Sequence, residues 1–163
     1  MREIKDCLFG NKSGFGIEIG RCFVFDKSLF GGVCLWVDGA SIGDLTQSMA
    51  VYHLLGELDA IHYLPRMDPA SLDRLLGLTP EAADISLREL EAGAHREVFR
   101  LSPGECFDGF DVRVIAAAYD LYFYGRLGTA AGSESMTRLS TTWVQFQPVV
   151  KAFVEFASSI TKE

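Results

Sequence analysis

The chain has 163 residues, 48% of them hydrophobic and 23% charged. A domain of about 150 residues buries roughly 70% of its unfolded surface, so no disulfide or metal staple is required for one core. Twenty-two Asp and Glu against fifteen Lys and Arg leave a net charge of −7, which argues against binding by phosphate neutralisation, hence against a nucleic-acid partner, and favours a basic protein partner instead. The four cysteines, Cys7, Cys22, Cys34 and Cys106, form no CxxC pair and read as reduced core thiols of a cytoplasmic protein. Neither a signal-peptide pattern nor an apolar run of about 18 residues occurs, so no membrane contact is expected.

In chain order, Leu8 and Phe9 lead into the turn cluster Gly10-Asn11-Lys12-Ser13-Gly14, after which Phe15, Ile17 and Ile19 alternate with Gly16, Glu18 and Gly20. This period of two is that of a half-buried strand. Cys22 to Asp26 reads as a second short strand, interrupted from the first at Gly20-Arg21. Asp38-Gly39 between two apolar runs is a two-residue hairpin turn of type I′, which needs positive φ at both positions. That turn sets a register of Val37 on Ala40, Trp36 on Ser41, Leu35 on Ile42 and Cys34 on Gly43.

From Leu45 the period becomes helical, and Val51, Leu54, Leu55, Leu58, Ile61 and His62 form one stripe of a helix over 47–63, closed by Pro65. Asp68-Pro69 and Thr79-Pro80 each pair a capping side chain with proline at the first helical position. The first of these helices ends at Gly77; the second runs to Ala92 with Ala83, Leu87, Leu90 and Ala94 inward. Strands follow at 96–101, 111–117 and 121–127, the last two turning around Tyr119-Asp120. Thr129 to Ser133 reads as a loop, 134–139 as a final strand, and 148–160 as an amphipathic helix with Val150, Phe153, Val154, Ala157 and Ile160 inward. Runs of strands and runs of helices give a single α+β domain, with an antiparallel sheet of six to seven strands packed on three to four helices.

Candidate chemistry is sparse. The Gly10 to Gly14 turn lacks the glycine before lysine and the following helix that a phosphate loop needs. His53 and Glu57 lie one turn apart and read as a solvated face, since His62 falls on the opposite, apolar stripe as a core histidine. Cys106 with His95 is the best nucleophile and base available, yet nothing activates the thiol or marks an oxyanion hole. No enzyme, cofactor or metal site is expected.

The stretch Leu8-Phe-Gly-Asn-Lys-Ser-Gly-Phe-Gly-Ile-Glu-Ile19, then Leu29-Phe-Gly-Gly-Val-Cys-Leu-Trp-Val-Asp-Gly-Ala-Ser-Ile-Gly-Asp44 and an amphipathic helix, resembles immunity family forty-two of bacterial polymorphic-toxin and contact-dependent inhibition systems. The matching features are a G-[DN]-K turn, an [AG]-I-E-[FIL] strand and a C-[YL]-W-[IV]-[ND]-G hairpin closing on I-G-D. The resemblance implies a cytoplasmic antidote that binds the carboxy-terminal domain of a cognate toxin; the acidity fits a basic one, and a monomer or weak homodimer is expected. The alternative is a small-ligand-binding or regulatory α+β domain. If the strands are neighbours in register, Glu18 and Trp36 share the face opposite the core, with Asp38 and Asp44 at the hairpin ends. An aromatic anchor beside a charge is the composition of a binding hot spot, so these four residues are the expected toxin-binding surface; the alternative is that a second layer covers Trp36, or that Asp38 serves only the turn and Glu18 only pairs an internal arginine.

Overall fold

The computed structural model describes residues 1–127 and 135–162; the loop expected over 129–133 lies outside them. Alternating side chains place β1 (Arg2–Ile4), β2 (Cys7–Gly10), β3 (Phe15–Phe25), β4 (Ser28–Val37), β5 (Ala40–Ile42) and β6 (Met49–Ala50) in one antiparallel sheet. The long strands β3 and β4 form its centre, with β1 and β2 end to end along β3 and with β5 and β6 along β4. A second antiparallel sheet runs in the order β10 (Ser135–Thr142), β9 (Asp120–Leu127), β8 (Asp111–Ala116), β7 (Val98–Leu101). With the helices α1 (Val51–His62), α2 (Pro69–Leu76), α3 (Pro80–Ala92) and α4 (Trp143–Thr161), the α+β class and its antiparallel sheets stand as expected, the strands being divided over sheets of six and four.

The two strands expected at 15–20 and 22–26 are one strand with a bulge. The β3–β4 register shifts between Gly20 and Phe23, where Arg21 adopts φ 52° and its N–H bonds Asp6 Oδ1 at 2.9 Å. An extra residue reverses side-chain parity. Ile17 and Ile19 are inward before the bulge, whereas Cys22 and Val24 are inward after it, leaving Phe23 and Phe25 outside. Phe23 stacks on Phe30 there, ring centroids 5.6 Å apart.

The inward face of the six-stranded sheet, α1, α4 and one face of the second sheet enclose the main core, built around Phe15, Ile17, Leu35, Leu54, Phe123 and Phe146. Val112, Val114 and Ala116 of β8 point into it; Arg113 and Ile115 point the other way, onto α2 and α3. A smaller cluster of Met67, Leu75, Ala83, Leu87, Ile115 and Tyr124 joins those helices to the sheet. Beside it lies an ion network that the sequence reading missed. Arg113, 3% exposed, donates to Glu91 at 2.6 Å and to Asp111 at 3.0 Å and lies 3.5 Å from Asp84, while Arg88 bridges Asp84 at 2.7 Å and also reaches Asp111. Buried charges persist only when paired in this way. Burial alone raises the Asp111 carboxyl, and the Arg113 and Arg88 guanidiniums overcome that, holding it below the usual carboxylate range.

Several element boundaries differ from the expectation for identifiable reasons. The helix expected from 47 starts at Val51, because Met49 and Ala50 first pair with Gly31 and Phe30 of β4. The final helix begins five residues before Pro148: Thr142 Oγ1 accepts from Gln145 N at 3.2 Å and Gln145 Oε1 accepts from Thr142 N at 3.5 Å, a capping box that outranks the proline signal. Its inward stripe is accordingly Phe146, Val149, Phe153, Ala157 and Ile160, with Val154 40% exposed. Ala94 lies past the end of α3 at φ 57° and is exposed, as is His62, the expected core histidine.

Candidate functional site

The hairpin tip follows its turn chemistry. Asp38 and Gly39 have φ of 49° and 83°, and Val37–Ala40, Trp36–Ser41 and Leu35–Ile42 pair as the sequence requires. The fourth expected pair, Cys34 with Gly43, is absent from the ladder: at φ 116° Gly43 leaves the strand and passes so close to Val33 that a Cβ would sit 2.6 Å from its carbonyl oxygen.

On the outer face Glu18 lies opposite Cys34 and Gly16 opposite Trp36, so Glu18 and Trp36 are diagonal neighbours, within reach of a long side chain. The indole Nε1–H of Trp36 donates to Glu18 Oε2 at 2.7 Å. The same oxygen pairs with Lys12 Nζ at 2.9 Å, and that ammonium stands 4.5 Å from the Trp36 ring centroid. Three groups therefore close a triangle of salt bridge, hydrogen bond and cation–π contact. The hydrogen bond from Lys12 is the main cause that holds the Glu18 carboxyl below its usual range; burial opposes it and the indole N–H adds to it. Trp36 is half-buried, and the side chains of Lys12 and Glu18 are 47% and 23% exposed.

The backbone under Lys12 is fixed. Gly14 N–H donates to Asn11 Oδ1 at 2.6 Å, Gly39 N–H to Lys12 O at 3.0 Å and Asp38 N–H to Gly14 O at 2.8 Å. The turn at 10–14 and the hairpin tip are thus joined by two backbone hydrogen bonds, which hold the backbone of Lys12 and leave its side chain to reach Glu18. Sequence reading placed Glu18 and Trp36 on one face but missed Lys12, whose position depends on a loop conformation that no periodicity encodes.

Asp38 is exposed at the tip, beside this triangle. Asp44 is elsewhere: its carboxylate accepts from Thr46 N at 2.8 Å and Thr46 Oγ1 at 2.7 Å, bonds that lower its pKa, and its N–H donates to Cys106 O at 2.8 Å. It borders a separate cleft with Glu105 and Asp108. The structure thus groups Glu18, Trp36 and Asp38 and leaves Asp44 apart.

The weaker candidates separate further. Glu57 accepts from Ser102 N at 2.9 Å, tying α1 to the end of β7, while the His53 ring lies tilted against its neighbour Tyr52, centroids 4.1 Å apart. Cys106 is 1% exposed and its thiol is pushed up by burial, whereas His95 lies on the surface 3.9 Å from Glu97. Among the described residues no three His, Cys, Asp or Glu side chains are grouped to hold a metal, and no helix is long and apolar enough to cross a membrane.

No protein-family model matches the chain, nor does any curated protein, so neither comparison supports the resemblance to immunity family forty-two. Among solved structures the chain is similar to CdiI from Burkholderia dolosa AUO158, with a TM-score of 0.60 at 14% identity. The alignment covers 91% of this chain and 99% of that one, so the two share one fold from end to end.

Proposed function

We propose that this protein is an immunity protein that binds and neutralises the carboxy-terminal toxin domain of a contact-dependent inhibition or polymorphic-toxin system. The observation that carries the reading is the end-to-end likeness to CdiI, an immunity protein of such a system. A fold serves many functions, so the likeness supports the reading only together with a surface suited to binding. The triangle around Trp36, with Asp38 at its rim, supplies that surface. The protein acts by stoichiometric binding and not by catalysis, on a basic toxin domain, in the cytoplasm. Asp44 belongs to the contact only if the toxin also spans the hairpin base.

The test is co-expression with whichever toxin domain the same gene cluster encodes. Growth should be rescued, and the two chains should co-purify. Trp36→Ala and Glu18→Ala should stay folded and weaken binding by about 2 kcal/mol or more for the aromatic, the scale of hot-spot truncations. An intoxicated culture that this protein leaves unprotected, with no complex recovered, overturns the reading.

A further inference from the structure

We infer that Lys12 occupies the place of a cation from the partner, so that the toxin docks by inserting a lysine or arginine between Glu18 and the Trp36 ring and displacing Lys12. The inference rests on the function proposed above and names the chemistry of the contact.

A cation site needs a carboxylate of fixed direction and an aromatic face beside it, and both are present before any partner arrives. The Trp36 indole N–H holds Glu18 Oε2 at 2.7 Å, which orients the carboxylate without neutralising it. Glu18 Oε1 accepts no hydrogen bond from the described residues, which leaves a second acceptor for a forked donor such as guanidinium. The ring face is already used by a cation, at 4.5 Å from its centroid.

The present occupant is weakly held. Lys12 is 47% exposed, and an ion pair open to water adds little because screening and side-chain entropy offset it. Its backbone is anchored through Gly39 N–H, so displacement moves one flexible side chain and no strand. Leu8, in register with Glu18 and 44% exposed, supplies apolar surface at the edge of the site. Charge favours the exchange, since the chain carries net −7 and the toxin is read as basic.

The experiment measures affinity of the purified toxin domain for the full-length protein and for the variants Lys12→Met, Lys12→Gln, Glu18→Gln and Lys151→Met. Lys151 is exposed on α4, so its variant reports the generic effect of losing one positive charge. If Lys12 is a stand-in, its removal vacates the site, and both Lys12 variants should bind about tenfold tighter than the parent, well beyond any gain from Lys151→Met. Glu18→Gln should weaken binding by a comparable factor. Lys12 variants that bind more weakly, no better, or only as well as Lys151→Met overturn the displacement while leaving the immunity reading intact. A parent that does not bind the toxin at all overturns both. Thermal melts of each variant beside the parent assign any loss of affinity to the site or to unfolding.

Discussion

Two thiols set the clearest pH response. Burial pushes Cys34 up to about 12 and Cys22 up to about 11, the nearby carboxylates Glu18 and Asp6 adding to the effect. An unfolded thiol ionises near about 8.5, so between that pH and the folded values the unfolded chain releases protons that the native chain retains. The stability these groups contribute is whole below the unfolded pKa and is lost as pH rises through 9 toward 12. Urea unfolding at pH 7, 9 and 10 should show it falling, and Cys34→Ala should flatten the slope; a slope unchanged by that substitution removes Cys34 from the account. Glycines at the same scale have two distinct causes. Gly39 has open space around it and is required by its φ of 83°, whereas Gly32 has ordinary backbone and is required because a Cβ would meet Leu45 O at 2.2 Å.

At the scale of elements, α3 is fastened by charge as much as by apolar contact. Only Ala83 and Leu87 are fully buried among its hydrophobic residues, and Asp84, at 4% exposure, faces Arg113 of β8. Replacing Arg113 by Met strands Asp84 and Glu91 with one fewer cation, and breaking a buried pair from one side costs about 3–5 kcal/mol. Equilibrium unfolding of Arg113→Met should show a loss of that size, and a loss below 1 kcal/mol would mean that Arg88 alone satisfies the network.

The legibility of the elements followed the range of their signals. Asp68, Thr79 and Asp38-Gly39 announce their structures within four residues, and each is where the sequence places it. The start of α1 is set by a pairing of Met49 with Gly31, eighteen residues away, and the Arg113 network joins residues more than twenty apart. Neither leaves a local trace. The same holds at the site: parity alone put Glu18 and Trp36 together, while Lys12 arrives through a tertiary bond to Gly39.

Across the whole molecule the negative charge is unevenly placed. Residues 51–127 hold thirteen carboxylates against seven Lys and Arg, a net −6, whereas residues 1–50, which build the six-stranded sheet, hold six against five, a net −1. Under the proposed function, the field that would attract a basic toxin comes mainly from the helical half, and the proposed contact lies on the other. Charges outside an interface act on k_on and its salt dependence more than on k_off. Glu81→Lys with Glu89→Lys, both exposed on α3, should slow association at low salt, an effect that fades by about 0.5 M as screening shortens. Dissociation should be unchanged; a faster k_off in that variant would relocate the interface to the helices.

The bulge at Arg21 gives β3 a reading frame. Upstream of it odd residues are interior and even ones exterior; downstream the assignments are exchanged. Without that residue the strand would alternate regularly, and Ile17, Ile19, Cys22 and Val24 would share one face by spacing alone, in the register with β4 that they hold now. Were Arg21 instead accommodated in a regular ladder, alternation would turn the downstream half inside out, placing Phe23 and Phe25 on the core face and Val24 on the outer one. In this strand the length of the chain, and not only its composition, decides which side chains a partner meets.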